Sequence, residues 1–467
     1  MVNLDTLLQK HQEYDQGADP DLIRRAYAFA EVAHLGQKRL NGDDEITHLL
    51  KVADYLADYR ADSMTLAAAL LHDVLEESDI DRRTLGKEFG EEIAALVDGL
   101  TVVRAASGRS GAGKGRNWEN LRHLILASIH DPRVMVIRLA DKIHNLRTSA
   151  VLTEEERRIS AQKVFDIWAP LAAILGLYRF KSEMEDLAFE ILNPQDFKKI
   201  KSAVQLESGK MGQVIDSVSK KLSAELNSQK IPAEIVSRTK HFFGVYRKMA
   251  RYESHAGGKM FDVLGLRVIS DSVENCYRIL DSARKIWKEI PDFFDDYIAH
   301  PKPNGYQSIH AVFEVGGQMI EIQIRTKQMH EEAEYGLAAH SVYKEKGDRH
   351  IAATERIRLV ESLLDWGKGQ ELDLFPDNVF IFTPKGDVKV LPKGATPVDF
   401  AFAVHTQIGR QCAGAKANGK IISLDYPLKT GEVIEIMTAK GRKPSVDWLR
   451  FVKTDHARSE IEKVVRG

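Results

Sequence analysis

Leu70-Leu71-His72-Asp73-Val74-Leu75-Glu76-Glu77 closes an apolar run that opens at Leu66, and its reading decides the first third of the chain. The run is expected to be one helix. Residues four apart on a helix share a face, so His72 falls over Glu76 and Asp73 over Glu77. A nitrogen donor and an oxygen donor then stand beside two further carboxylates. Burying such groups without partners is costly, and a metal ion satisfies them. Two other positions complete a ligand set. His48 follows the Gly42-Asp43-Asp44 turn and opens the next helical stretch. Asp141 lies in Ile137-Arg138-Leu139-Ala140-Asp141-Lys142-Ile143-His144-Asn145, with Asn145 one turn on. Two imidazoles and two carboxylates suit Mn²⁺, Fe²⁺ or Zn²⁺ with positions left for water. Such an ion lowers the pKa of bound water from about 15.7 to about 7, and Glu76 or Glu77 stands where it can orient or deprotonate that water. A lone His-Asp pair is most often a helix-surface pair. The order His48, His72-Asp73, Asp141, each set among apolar helices, favours the metal.

A length of 467 residues makes room for about three domains, each with its own core. A formal net charge of −2 gives no global positive field toward nucleic acid. Cys276 and Cys412 are the only cysteines, in no metal or redox spacing, which argues against a disulfide framework and for a reducing compartment. The N-terminus has no basic segment followed by an apolar run, and no stretch approaches the roughly 20 apolar residues of a membrane span. A soluble, cytoplasmic protein without membrane contact is expected.

Residues 1–195 are rich in Ala, Leu, Glu and Arg at helical spacing, as in Ile23 to Ala33, Leu66 to Glu77 and Asn117 to Ile129, and read as all-helical. Within them Gly108-Arg109-Ser110-Gly111-Ala112-Gly113-Lys114-Gly115 nearly spells a phosphate-binding loop. Gly115 stands where a Ser or Thr hydroxyl is required, and no clear strand launches the loop, so it reads as a basic loop. Residues 196–345 are mixed: Val263 to Ile269, Ser308 to Val315 and Met319 to Ile324 read as buried strands, among helical stretches such as Val273 to Lys288 and Gln328 to Lys344. A helical linker is expected over 346–376. Short strands with turn signals recur over 377–440, Val379 to Phe382 and Val388 to Leu391 forming a hairpin pattern. A helical region begins in 441–467 with no stop signal, as if the chain were the N-terminal part of something longer.

The middle region concentrates groups that handle phosphate. Arg238-Thr239-Lys240, Arg247-Lys248 and Arg251 read as cations along one helical stretch. Asp262 stands at the mouth of a strand, and Glu321 on another; together they suit Mg²⁺, which prefers carboxylate plus substrate phosphate. The cations would brace a triphosphate, and Tyr306 offers a face on which a base can stack.

Gly305-Tyr306-Gln307-Ser308-Ile309-His310, Glu321-Ile322-Gln323-Ile324-Arg325-Thr326 and Met329 to His340 resemble the synthetase domain of the RelA/SpoT family. The His48, His72-Asp73, Asp141 series resembles the HD phosphohydrolase superfamily, and within this family the (p)ppGpp hydrolase. Residues 378–438 resemble the family's TGS module. The resemblance implies a multidomain α+β protein: an all-α HD-type hydrolase (1–195), a mixed α/β nucleotidyltransferase-like synthetase (196–345), and a small ubiquitin-like β-grasp TGS domain (377–440). It implies alarmone metabolism in the stringent response. The synthetase would move pyrophosphate from ATP to the 3′-hydroxyl of GDP or GTP with Mg²⁺, and the hydrolase would remove it from ppGpp or pppGpp with Mn²⁺.

Carried over by position, His48, His72, Asp73 and Asp141 match the Mn²⁺ ligands, and Glu76 and Glu77 the catalytic acidic pair. Arg39, Asn145 and Thr148 match positions that hold the guanine nucleotide. Arg238, Lys240 and Lys248 match ATP-binding cations. Asp262 and Glu321 match the Mg²⁺-linked carboxylates, with Glu321 also the base for the attacking hydroxyl. Tyr306 matches the guanine-stacking tyrosine, and Lys302, Gln307 and His310 lie in the same acceptor-binding segment. His405 matches a residue linked to the CCA end of uncharged tRNA on the ribosome. Departures stand at Glu77, usually Asp; at Gly244, usually Ser; and at Phe293-Phe294-Asp295-Asp296, in place of a motif that separates bifunctional from synthetase-only members. Two further readings stay open: a hydrolase with a weak or regulatory synthetase domain, and a ribosome- or tRNA-binding regulator with vestigial catalysis. Opposed activities in one chain also imply a conformational switch, with residues from about 150 to 200 as its hinge.

Overall fold

The computed structural model describes residues 2–15, 17–105, 125, 127–128, 131–252, 264–302, 305–336, 378–384, 388–439 and 441–466. The loop at 106–115, most of the helical reading over 117–129, Asp262 and the linker at 346–376 lie outside the described residues, as does the Lys248 side chain. Two compact units are present: one built from Met1–Thr101 and Arg133–Val342, and a second whose described core comes from 378–466.

The first unit begins with helices whose starts are written in the sequence. Asn3 caps Leu4–Tyr14 in a reciprocal pair with Thr6, Asp19 caps Pro20–Ala33, and Asp62 caps Ser63–Leu70. Glu45–Ala57 buries Leu49, Val52, Ala53 and Leu56 against them. The continuous helix expected over Leu66 to Glu77 is not found. The helix ends at Leu70, residues 71–73 form a turn, and Val74–Glu77 is a separate short helix. The cause is local: His72 Nδ1 bonds the carbonyl oxygen of Ala69 at 2.7 Å, taking the acceptor that the next helical turn would have used. The amides of Glu76 and Glu77 both donate to Asp73 O at 3.0 Å, which restarts the helix.

Arg133–Arg147 runs through the middle of this helical layer, with Val134 to Leu139 and Ile143 buried. The segment expected as a hinge is itself helical: Glu154–Lys163, a π-helical turn at Val164–Trp168, Ala169–Ile174 and Tyr178–Leu192. A 35-residue helix, Pro194–Ser228, leads from it to the sheet.

That sheet has six strands: β1 (Ala233–Thr239), β2 (Leu264–Ser270), β3 (Lys288–Glu289), β4 (Asp295–Asp296), β5 (Ile309–Val315) and β6 (Gln318–Thr326). Their order is β1-β2-β6-β5-β3, with β4 also pairing with β5; β2 and β6 run parallel and the other pairs antiparallel. Alternation sorts the side chains. Leu266, Val268, Ile309, Ala311, Phe313, Ile320, Ile322 and Ile324 face a core completed by Val273–Ile286 and the long helix. Arg267, His310, Glu321, Gln323 and Arg325 alternate with them and so face the other way. β1 corrects one expectation: Arg238 sits on a strand and Lys240 just past its end, with the helix Phe242–Tyr252 beginning only afterwards. The cations therefore come from two elements.

In the second unit β7 (Asn378–Phe382) and β8 (Val388–Pro392) form the expected antiparallel hairpin. β9 (Cys412–Ala417) is flanked by β10 (Lys420–Ile422) and β11 (Ile434–Thr438). Pro397–Val404 packs Phe400 onto this layer. Its other side, Val398, Ala401 and Phe402, receives Trp448, Val452, Ala457 and Ile461 from the terminal segment. Asp399 is fully buried between the two and accepts from Thr396 N, Thr396 Oγ1, Lys453 N, Thr454 N and Thr454 Oγ1 at 2.8–2.9 Å.

Candidate functional site

The turn at 71–73 aims two donors inward. His72 and Asp73 are each 1 % exposed, as is His48, and ligand atoms of the three lie within 4.8 Å of one another. Because His72 Nδ1 meets a carbonyl oxygen, it must carry the proton, which leaves the Nε2 lone pair outward. That nitrogen is buried and has no hydrogen bond. Burial pushes the His72 pKa down, which keeps the ring neutral. An orphaned, neutral, buried imidazole nitrogen beside a carboxylate fits a divalent cation.

Asp141 joins the group through His48, whose Nε2 is 3.4 Å from Asp141 Oδ1. Burial alone would raise the Asp141 pKa; Lys142, His48 and Arg138 outweigh it and hold the carboxyl well below the usual range. Asn145 Nδ2 donates to Asp141 Oδ1 at 2.5 Å, and Arg39 reaches both Asn145 Oδ1 (2.7 Å) and Glu45 Oε1 (2.6 Å). Thr148 Oγ1 donates to the carbonyl oxygen of His144 at 3.0 Å, closing the helix end beside them. A second cluster unites carboxylate oxygens of Glu45, Asp73 and Glu77. Glu76 follows on the same short helix, half-buried.

Sequence reasoning missed Glu45, Arg138 and His144 here. His144 Nδ1 lies 2.7 Å from His48 Nδ1, so one of the two rings donates and the other accepts. Burial, with His48 and Arg39 alongside, pushes the His144 pKa down to about 3, which keeps that ring neutral. Its signal was the spacing: three residues after Asp141 on a helix is the same face.

The other face of the sheet opens onto a cavity of about 880 Å³, lined by Arg238, Arg267, Lys302, Tyr306, Gln323 and Arg325 among others. In register, Arg238 lies opposite Gly265, and Gly265 opposite Glu321. Because Gly265 has no side chain, Arg238 Nη1 reaches across to 3.9 Å from Glu321 Oε2, and Lys240 Nζ comes to 3.3 Å. On β5, His310 Nδ1 is 3.6 Å from Glu321 Oε1, while its Nε2 meets Tyr306 Oη at 2.8 Å. Burial pushes the His310 pKa down to about 4. Lys302 Nζ stands 4.2 Å from the Tyr297 ring centroid and 5.2 Å from that of Tyr306, and Gln307 Nε2 donates to Ile298 O at 3.3 Å.

Helix Tyr178–Leu192 supplies the opposite wall. Tyr178 meets Tyr306 edge-on at 5.3 Å, and Asp186 accepts the amides of Phe242 and Phe243 at 3.1 and 2.8 Å. Toward the helical layer the same helix buries Phe180 between Tyr55 and Tyr59, and Glu183 takes a hydrogen bond from Tyr55 Oη at 2.8 Å. Gly244 lies under the His241 ring: a Cβ at this position would come 2.7 Å from His241 Nε2, so a serine there would have to displace that ring. In the second unit His405 is exposed, and its Nδ1 accepts from Gln407 N at 3.1 Å.

Three family models match the chain: HD domain over residues 26–178, the region found in RelA / SpoT proteins over 237–348, and TGS domain over 379–438. The guanosine-3′,5′-bis(diphosphate) 3′-pyrophosphohydrolase of Aquifex aeolicus (strain VF5) is 40% identical over 476 residues, covering 100% of this chain and 67% of that protein. The chain belongs to the RelA/SpoT family. A bifunctional (p)ppGpp synthase/hydrolase SpoT of Escherichia coli (strain K12) is 38% identical, covering 100% of this chain and 67% of that protein. A GTP pyrophosphokinase of Myxococcus xanthus is 36% identical, covering 97% and 61%. The chain thus spans about two thirds of the length of these RelA/SpoT relatives. Its helical layer, mixed sheet and C-terminal β-rich module follow the family's HD, synthetase and TGS order. No described helix is long and apolar enough to cross a membrane.

Proposed function

We propose that this chain metabolises (p)ppGpp in both directions, at two separate sites of the first unit. The observation that carries the hydrolytic reading is the buried cluster of His48, His72 and Asp73, with Asp141 against His48. These four would hold a divalent ion, with Mn²⁺ suited to two imidazoles and two carboxylates. When bound, the ion supplies Lewis acidity toward water and a phosphoryl oxygen. The chain's own residues do the rest. Glu76 or Glu77 takes the proton of the attacking water, while Arg39, kept in place by Glu45 and Asn145, and Thr148 receive the guanine nucleotide. Water displaces the 3′-oxygen from phosphorus, and GDP or GTP leaves with pyrophosphate.

For synthesis, Arg238, Lys240 and Lys248 neutralise the ATP phosphates, and in the sheet cavity Tyr306 stacks the acceptor base beside Lys302, Gln307 and His310. Glu321 takes the proton of the 3′-hydroxyl as its oxygen attacks the β-phosphorus of ATP and AMP departs. With Asp262, Glu321 would also hold Mg²⁺. The cations around Glu321 support this reading, since transferred phosphate oxygens need such partners beside the reacting group. His405, exposed on the TGS module, is the contact for uncharged tRNA on the ribosome.

Two assays test the reading on the same preparation: ppGpp with Mn²⁺, and GDP plus ATP with Mg²⁺, each read by nucleotide chromatography. Product is expected in both. Hydrolysis without synthesis would leave a hydrolase with a regulatory second domain, and no product in either would overturn the enzymatic reading.

A further inference from the structure

Gln37 joins three segments of the helical layer without belonging to the ligand set or the acidic pair. It follows the turn at 34–36 that ends helix Pro20–Ala33, and its amide donates to His34 O at 3.0 Å. Its own carbonyl oxygen accepts from Glu45 N at 3.2 Å, where the helix bearing His48 begins. The side chain reaches a third segment: Nε2 donates to Glu77 O at 2.7 Å. A backbone carbonyl can only accept, so this bond settles which way the amide points. Oε1 then faces His34 Nδ1 at 2.7 Å, and that nitrogen must carry the proton. The His34 ring is 3 % exposed, with Nε2 buried and without a hydrogen bond, so it is anchored through Nδ1.

What Gln37 holds is weak on its own. Val74–Glu77 is a single helical turn, too short to persist by propensity, and no following turn meets its carbonyl oxygens. Two of these find side chains instead: Val74 O takes the Ser78 hydroxyl at 2.7 Å, and Glu77 O takes the Gln37 amide. Carboxylate oxygens of Glu45, Asp73 and Glu77 also lie within 4.8 Å of one another, and like charges this close repel. Gln37 ties the backbone of two of these three residues, Glu45 through its carbonyl and Glu77 through its side chain. It therefore sets how near Glu77 stands to Glu45, and through Glu45 to Arg39.

We propose that Gln37 is a positioning residue for ppGpp hydrolysis: backed by His34, it fixes the acidic turn of Glu76 and Glu77 against the start of the His48 helix. The inference rests on the hydrolytic reading of this site. Gln37 is not itself a reacting group; it acts through Glu77.

The test uses the full chain with Gln37→Met, which keeps the length and removes the donor. His34→Leu removes the ring's donor, and His34→Asn returns an amide N–H near the place of Nδ1. Gln37→Met is expected to lose ~30-fold in kcat for ppGpp with less than ~3-fold change in KM, since a reacting group displaced by about 1 Å costs on the order of 10²-fold. His34→Leu loses rate in the same sense, and His34→Asn recovers most of that loss. Mn²⁺ affinity, read by electron paramagnetic resonance, stays native-like in all three. Native kcat in Gln37→Met, or a loss that falls on KM or on Mn²⁺ affinity, would overturn the positioning role; equal losses in the two His34 variants would overturn the backing by His34. Hydrogen exchange over residues 71–79 separates this from the underlying reading. Faster exchange there in Gln37→Met, with a native chain that turns over no ppGpp, upholds the hold on the turn and sinks the hydrolytic reading. Native-like exchange in that variant refutes the hold whatever the activity.

Discussion

Gly265→Ala should injure synthesis while leaving hydrolysis intact. A Cβ at this position would come 2.7 Å from the backbone oxygen of Glu321, short of ordinary contact at 3.4 Å by about 0.7 Å. The obstacle is backbone on the parallel partner strand, so no flexible side chain can swing aside. Either β2 and β6 separate or β6 shifts along its length. Overpacking of this kind costs about 1–3 kcal/mol, far less than would unfold a unit of this size. Its larger effect is geometric. Glu321 sits among Arg238, Lys240 and His310 at 3.3–3.9 Å, and displacement by most of an ångström breaks those distances. Misplacement of about 1 Å at a reacting group costs on the order of 10²-fold in rate. The variant should therefore lose ~30- to 100-fold in kcat for pyrophosphate transfer, by the same geometric sensitivity. The assay measures transfer from ATP to GDP and, on the same sample, hydrolysis of ppGpp. Native transfer by Gly265→Ala would refute the claim that the missing side chain is what lets Arg238 reach Glu321.

Asp73→Ala should abolish ppGpp hydrolysis and spare synthesis, since Asp73 lies in the His48 and His72 cluster; unchanged turnover would sink the metal assignment. Asp399→Ala should lower the stability of the second unit by about 3 kcal/mol, because five donors lose a buried charged acceptor at once; urea unfolding followed at Trp448 checks it. His330 contributes a pH dependence. Its folded pKa, about 4, lies below the unfolded value of 6.5, so between the two the unfolded chain binds the extra proton. The stability tied to this ring is present above pH 6.5 and is lost as pH falls toward 4. For a half-buried ring the loss is about 1 kcal/mol after solvent screening. Thermal unfolding across that window should be flatter in His330→Gln, and an equally steep profile would argue against it.

Much of the candidate hydrolase site was legible because its residue types are written in short local strings. His72-Asp73, the isolated His48 after a Gly-Asp turn, and Asp141 with Asn145 one turn on each announce themselves by residue type and spacing. What the spacing misjudged was the backbone between them. Nothing in Leu66 to Glu77 forbids a continuous helix; the His72 side chain ends it by bonding Ala69 O, and that same bond sets the tautomer that leaves Nε2 outward. His144 was within reach of the helical period that linked Asp141 to Asn145, but its partner His48 lies 96 residues away in sequence.

The sheet cavity divides in the same way. By itself the sequence determined which side chains face together within a strand, because alternation puts Glu321, Gln323 and Arg325 on one side of β6 whatever the surroundings. It also determined the capped helix starts and the apolar faces that build the cores. Only the tertiary structure decided which strands lie side by side, and hence that Arg238 faces Glu321 across a glycine and that Glu334 closes on two arginines from different strands. The physical reason is range. Local propensity and periodicity act over a few residues, whereas strand register and buried charge pairing emerge when segments far apart in sequence bury one surface together.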